Sequence, residues 1–444
     1  MQIFLSLTAV LIFLFFFSFF VTSLLENEKR AAYISLLAGI LVPVPFLIPL
    51  FSNLVYPAWL NVALTGLIIL PLLLILVPIK PPIDYTPQIP CRRFDERDTV
   101  LSRRTLKRGT EHFKQYYRRN PGKKEQDDRF RQKPGLLKAG SKYYDPILFA
   151  AAESMFEKVE KLHQRVEGEV ISQKTEVDAI KISDTIKNMV MDWGAHSLGI
   201  TELKDYHIYS IGGRGDRYGQ AYEKNHQYGI VLTVEMDHSM MKYAPAAPTV
   251  LESARQYLNL GIMAIQLAEF IRDLGYPARA HIDANYKVIC PLVARDAGLG
   301  EIGRLGLLMT PAIGPRIRIA VITTDMPLKP SKPKPDPTVI DFCRYCRKCA
   351  EICPVQAIPY GPEKLIDSVR RWQINSESCY TFWCIAGTDC GKCIIVCPYS
   401  HPDYWIHRLV RFGVKNSLVF RRIAMKLDDL FYGGRKEWDR PPRF

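Results

Sequence analysis

A water-soluble α/β (α+β) body behind three transmembrane helices is the fold this sequence predicts. Three observations predict it: where the charges fall, how strand and helix patterns alternate, and how the cysteines are spaced. Of 444 residues 104 are charged, yet residues 1–79 contain only Glu26, Glu28, Lys29 and Arg30. The rest of the chain is charged at about 27%, ordinary for a soluble protein. Such a length, about three times a roughly 150-residue domain, leaves room for several folded units and excludes a single small binding module.

Met1 to Leu25, Ala31 to Phe51 and Tyr56 to Ile79 are the three apolar stretches. Each reaches the roughly 20 residues a helix needs to cross the hydrocarbon core. Pro43, Pro45, Pro49 and Pro71 are tolerable there because neighbouring helices satisfy the freed carbonyls. Met1 to Ser6 has no Lys or Arg, which argues against a cleavable signal peptide. The Arg92-Arg93 and Arg103-Arg104 pairs follow the third stretch, the wrong place for a twin-arginine export signal. Lys29 and Arg30 separate the first two stretches, no basic residue separates the second from the third, and Lys80, Arg92, Arg93, Arg97, Arg103 and Arg104 come after. This bias predicts a multi-pass protein of the cell membrane, its N-terminus outside and its body facing the cytoplasm.

Residues 80–140 read as a basic juxtamembrane linker with irregular surface structure, punctuated by Pro81, Pro82, Pro87, Pro90, Pro121 and Pro134. Residues 80–138 alone carry 17 basic and 8 acidic residues, much of the net +14. Basic residues beside apolar spans contact lipid headgroups, so membrane lipid is the expected partner and nucleic acid is not.

Residues 141–335 alternate helix and strand signals. Asp145 to Val166 and Val177 to Met191 read as helices, Tyr228 to Val234 and Ile317 to Thr323 as strands. Thr249 and Glu252 have capping-box spacing after Pro248, apolar residues recur through Ile271, and Gly275 with Pro277 ends that helix. Tyr257, Gly261, Ala264 and Ala268 share one face. That stripe fits either a large flat ligand with Tyr257 at its edge or a close helix–helix contact. Gly298 to Gly303 match G-x-G-x-x-G, but Arg295 and Asp296 interrupt any strand before them, and Gly306 and Pro311 cut short any helix after. We read this segment as a turn where backbone approaches a ligand, not as a dinucleotide site.

Nine of the eleven cysteines lie between Cys343 and Cys397, within residues 336–405. Cys343, Cys346, Cys349 and Cys353 before Pro354 give C-x2-C-x2-C-x3-C-P, the bacterial ferredoxin run whose fourth cysteine reaches the other cluster. Cys390, Cys393 and Cys397 before Pro398 form a second motif, its remaining ligand being Cys379 or Cys384. Crossed ligation predicts one 4Fe-4S cluster on Cys343, Cys346, Cys349 and Cys397, and another on Cys353, Cys390, Cys393 and one upstream cysteine. Structural zinc does not use eight thiolates at this spacing, and Cys91 and Cys290 stand apart as inert thiols. Two clusters carry single electrons, so the upstream domain is expected to hold a redox cofactor. Residues 406–444 read as a basic C-terminal tail.

Several stretches together resemble the corrinoid-dependent reductive dehalogenases. They are Glu235-Met236-Asp237 with Met240-Met241 and Ala244-Pro245, Phe270 to Tyr276, Asp296 to Arg304, Gly314 to Ile317 with Arg318, Thr323 to Leu328, and both cysteine motifs. The resemblance covers roughly residues 145–400. It implies a nitroreductase-like corrinoid-binding core with a ferredoxin-like two-cluster domain, a base-off corrinoid (cobalamin) fed by two 4Fe-4S clusters, and reductive removal of halide from a halogenated organic small molecule. It favours Cys379 as the upstream ligand. It also assigns Tyr257 as proton donor, Arg316 or Arg318 as its basic partner, Asp283 and Asn285 as polar pocket residues, and Gly298 and Gly300 as cofactor-binding backbone. The family's exported members carry a twin-arginine leader and a separate anchor. This chain departs from them in both respects. Asp205-Tyr206-His207 is not followed by the glycine of D-x-H-x-x-G, so the sequence assigns no histidine ligand to cobalt. The electron donor is a quinol, a ferredoxin or a membrane redox protein. The competing readings are a membrane-anchored ferredoxin-like electron carrier without catalysis, and an epoxyqueuosine-reductase-like tRNA-modifying enzyme.

Overall fold

The computed structural model describes residues 2–51, 56–79, 89–332 and 336–433, which divide into two units. The expectations for Lys80, Pro81, Pro82, Pro87 and the last residues of the basic tail fall outside the described residues.

The first unit joins both ends of the chain, residues 1–84 and 401–437. Three helical stretches, Ile3–Leu25, Lys29–Pro49 and Trp59–Leu76, are long and apolar enough to cross a membrane. The middle one breaks between the helices Lys29–Leu41 and Val44–Phe51, where Pro43 offers no amide hydrogen and its ring crowds the preceding turn. Expected as a mere tail, residues 406–433 instead form the helices Trp405–Asn416 and Leu418–Tyr432. Ser417 starts the second, its Oγ accepting from the Phe420 amide at 3.2 Å. Ile406, Val414, Phe420 and Ala424 are buried, and the Leu418 amide donates to the Ile79 carbonyl at 3.0 Å. Apolar residues three and four apart make one face of each helix hydrophobic, and that face needs cover. Counting Lys and Arg as tail charge missed it.

The second unit spans residues 85–400. Its centre is a four-stranded antiparallel sheet built from β1 (Ser197–Glu202), β2 (Tyr228–Glu235), β3 (Ala278–His281) and, after the short hairpin β4 (Glu301–Ile302) and β5 (Leu308–Met309), β6 (Ile317–Thr324). The order is β1-β2-β6-β3, with Ile200 opposite Ile230, and Ile322 opposite both Ile230 and Ala280. An all-antiparallel sheet resolves the open choice between α/β and α+β in favour of α+β. Alternate side chains serve two cores. Ile230, Leu232, Ala320 and Ile322 pack with the long helix Ala247–Asp273, while Val231, Val321 and Ile317 pack with Val293 and Ala294 of the helix Cys290–Asp296. Burial on both faces is why β2 and β6 read as nearly continuous apolar runs.

The helices expected at 145–166 and 177–191 appear as Pro146–Leu162 and Ala179–Asp192, capped by Asp145 and Asp178. The capping box does not form. The long helix starts after Ala246, and Thr249 and Glu252 are buried inside it; Glu252 accepts instead from the Asp237 amide at 2.7 Å. Its end is as read, with Gly275 at φ 84°.

Residues 96–131 are not linker. Helix Pro121–Arg131 folds onto helix Ser376–Ala386, and helix Glu111–Arg119 packs against Pro121–Arg131 in turn. The Arg103 guanidinium, its side chain 1% exposed, pairs with Asp127 at 2.7 Å and Glu377 at 2.7 Å. Pro121 occupies the first helical turn, the one place where its missing amide hydrogen costs nothing.

Candidate functional site

Among the described residues, one cavity joins the sheet domain to the cysteine-rich segment. It encloses about 660 Å³ and is walled by the helices Pro146–Leu162 and Ala247–Asp273, the loop after β3, β6 and the cysteine loops. Tyr257 reaches it from the long helix, and Arg318 from β6, its guanidinium carbon 4.8 Å from the centre of the Tyr257 ring. Arg318 Nη2 donates to Ser253 Oγ and Asp389 Oδ2, each at 2.6 Å. Burial pushes the Tyr257 phenol up to about 12, and Arg318 opposes part of that rise. Burial likewise raises the Asp283 carboxyl on the same wall, against the pull of Arg214 and Arg318.

The other expected site residues lie elsewhere. Arg316 is fully buried, donating to the carbonyls of Ser400 (2.9 Å) and Met236 and pairing with Glu235 at 2.7 Å; every one of these bonds holds the fold together. Asn285 Oδ1 accepts from Arg279 at 2.6 Å and does not line the cavity. Gly298 and Gly300 do not line it either. Gly298 is the left-handed residue ending the helix Cys290–Asp296, with φ 81°. A Cβ on Gly300 would sit 2.1 Å from the Met309 carbonyl oxygen, so that glycine admits the hairpin partner β5. The backbone close to it is the chain's own.

The stripe of small residues divides in the same way. Gly261 faces Leu162, 3.1 Å from where its Cβ would be, and Ala264 and Ala268 belong to the core. Small residues there serve the helix–helix contact, and Tyr257 alone of the four lines the cavity.

The cysteines gather in two sets. The charges of Cys346, Cys343 and Cys349 act on Cys397, whereas those of Cys390, Cys379 and Cys353 act on Cys393. Cys349 also acts on Cys393, so the sets adjoin. Left-handed Arg347 (φ 55°) and Cys390 (φ 64°) turn the two loops tightly enough to bring their thiols together. Cys384 faces none of these thiols. It packs with Val100, Phe130 and Tyr380. Burial raises the thiols of Cys346, Cys379, Cys393 and Cys397, so sites this dry hold thiolates only against a cation, and the donor sets suit iron.

Cys353, Cys379, Cys390 and Cys393 line the same cavity as Tyr257 and Arg318. Part of that space is what a cluster on those thiols would fill; the remainder extends toward the tyrosine. On its walls Arg318 Nε and Asp389 Oδ1 are buried without hydrogen-bond partners, while Arg214 Nε pairs with Glu96 at 3.3 Å. A redox group with polar donors and acceptors around its rim fits such a lining. Among the described wall residues there is no histidine. His207 is fully buried, its Nε2 2.8 Å from Asp296 and its Nδ1 3.1 Å from the Lys204 amide, so both ring nitrogens are engaged away from the cavity.

Asp389, Arg214 and Phe156 were not foreseen as cavity residues. The only signal for Asp389 is its place immediately before Cys390, and for Phe156 its place on a helix whose partner face carries Tyr257. Nothing in the pattern around Arg214 marks it.

The 4Fe-4S dicluster domain family matches residues 342–401. A tetrachloroethene reductive dehalogenase of Desulfitobacterium hafniense is 36% identical over 217 residues, 46% of this chain and 39% of that protein. The tetrachloroethene reductive dehalogenase of Sulfurospirillum multivorans is 32% identical over 222 residues, 47% of this chain and 44% of that protein. In fold, the catabolic reductive dehalogenase NpRdhA, solved in complex with 3-bromo-4-hydroxybenzoic acid, matches 79% of this chain and 48% of its own at 22% identity and a TM-score of 0.63. The chain thus spans less than half the length of the relatives it matches.

Proposed function

We propose that this chain, a relative of the reductive dehalogenases, is a membrane-anchored enzyme that replaces the halogen of an organohalide with hydrogen. The observation that carries the reading is the shared cavity: one complete set of cluster thiols and the Tyr257–Arg318 pair face the same space. In balance, the halide leaves as an anion, and two electrons and one proton take its place. Electrons enter from a quinol, a reduced ferredoxin or a membrane redox protein and pass one at a time through two 4Fe-4S clusters, on Cys343, Cys346, Cys349 and Cys397 and on Cys353, Cys379, Cys390 and Cys393.

A base-off corrinoid, when bound in the cavity, supplies the low-valent cobalt that engages the carbon–halogen bond. Arg214, Arg318 and Asp389 would hold its rim. Tyr257 supplies the proton from its phenol oxygen. With a pKa near 12 the phenol stays protonated at neutral pH, and the Arg318 guanidinium stabilises the phenolate left behind. Arg318 also keeps a positive charge beside the departing halide. The nitroreductase-like kinship of the core, supported by an antiparallel sheet covered by helices on both faces, belongs to this reading. So does the orientation, with the N-terminus outside and the catalytic unit in the cytoplasm.

Anaerobic purification followed by cobalt and iron analysis tests the proposal. About one corrinoid and about eight irons per chain are expected for two cubane clusters. Protein free of cobalt that takes up no added cobalamin ends the enzyme reading and leaves an electron carrier. A reporter fused after Phe444 is expected to be active in the cytoplasm; periplasmic activity overturns the orientation.

A further inference from the structure

The unit made from the two chain ends buries a group of ionisable side chains that dehalogenation does not use. Glu26 follows the first membrane helix directly, its side chain fully buried. His401 precedes helix Trp405–Asn416 and His407 lies within it, both buried. The two imidazoles stack in parallel, centroids 4.6 Å apart and planes within 2°. Glu26 Oε1 is 2.6 Å from His407 Nε2. One potential ligand atom from each of Glu26, His401 and His407 lies within 4.8 Å of the others.

Charged and polar groups beside an apolar span are costly to bury, and chains keep them there only where something compensates. The carboxylates of Glu26 and Asp428 supply such compensation to His407 and His401. Two histidines and one carboxylate are also a ligand set that binds zinc and related divalent ions. Bonds of about 2.1 Å in a tetrahedral complex put ligand atoms about 3.4 Å apart. The ligand atoms lie within 4.8 Å of one another, and one of the two stacked imidazoles turns out of the stack to bring both lone pairs onto the ion. Asp428, on helix Leu418–Tyr432, sits with Oδ1 2.8 Å from His401 Nε2. A carboxylate on the second nitrogen is what orients a metal-ligating imidazole and strengthens it as a donor. Tyr432 covers the His401 ring, with centroids 4.1 Å apart.

We propose that Glu26, His401 and His407 bind one divalent transition-metal ion of the zinc class, with Asp428 as the positioning residue behind His401. Water fills the remaining position. The ion ties the turn after the first membrane helix to the two C-terminal helices, separate from the iron held by the cysteines.

The test uses the full chain in detergent micelles with its clusters loaded, treated with a chelator, then titrated with Zn²⁺ against a chromogenic zinc indicator. One equivalent of Zn²⁺ is expected to bind below micromolar concentration and to raise the melting temperature. The His401→Ala/His407→Ala double variant should lose that equivalent, Glu26→Gln should weaken it more than 10-fold, and Asp428→Asn should weaken it about 10- to 100-fold. Iron content measured in parallel is expected to stay unchanged in each variant, which excludes thiolates as the zinc ligands. Wild-type protein that takes up no Zn²⁺, or a double variant that still binds one equivalent, overturns the assignment. The wild-type titration decides alone if the variants fail to fold.

Discussion

Arg318 touches three partners at once: the Tyr257 ring, Ser253 and Asp389. Because its charge opposes the rise that burial imposes on the phenol, Arg318→Gln should make Tyr257 a weaker acid and slow halide release. Tyr257→Phe is expected to slow release about 10²- to 10⁴-fold, with iron and cobalt contents unchanged. Unaltered turnover in that variant would remove Tyr257 from the mechanism. The pH dependence follows from the sign of the shift: a phenol raised to about 12 remains a proton donor throughout neutral pH. Rates measured from pH 6 to 9 should therefore show no falling limb from tyrosine ionisation. Arg316→Gln should behave differently, lowering the melting temperature by the loss of buried charged hydrogen bonds, each about 1.5–3 kcal/mol. Sequence reasoning left Arg316 and Arg318 open because both precede or begin β6. Arg316 lies just before the strand, bonded to the carbonyls of Ser400 and Met236, whereas Arg318 within it faces the cavity, and only the folded contacts decide this. Asp389 was invisible because the cysteine spacing around it assigns no role to the residue between.

At the scale of elements, local pattern told the truth about long apolar segments and misled where polar residues pair with each other. β2, β6 and the long helix were legible because burial on opposite faces leaves an apolar signature. The short strand β3 was not, since Arg279 and His281 are half of its residues, buried against Asn285 and Thr323. Residues 96–131 looked like a solvated linker because charge counting cannot tell a paired arginine from an exposed one. Asp127→Asn should cost about 3–5 kcal/mol by removing one of the two carboxylates that pair with the buried Arg103 charge. A paired replacement, Arg103→Met with Asp127→Leu, should cost much less. Thermal melts of the two variants check the difference, and equal losses would argue against a buried ion pair. Gly300→Ala should cost more than about 2 kcal/mol, because both its conformation and its approach to Met309 exclude a side chain.

For the whole molecule, the cysteine segment was the most legible part, since cluster chemistry constrains spacing more tightly than packing constrains composition. Cys379→Ala is expected to halve the iron content while Cys384→Ala leaves it intact, read by iron analysis and low-temperature electron paramagnetic resonance. Equal iron in both variants would mean that the upstream ligand is neither. The least legible part was the C-terminus, whose helices are amphipathic segments that have meaning only beside the first 79 residues. That closure from both ends imposes an order on assembly. Residues 85–400 lie between the two halves of the membrane unit, and at about 5–20 residues per second their synthesis takes roughly 15–60 s. During that interval Glu26 waits at the end of the first helix without His407. The two C-terminal helices therefore join the anchor only after residues 85–400 have been made.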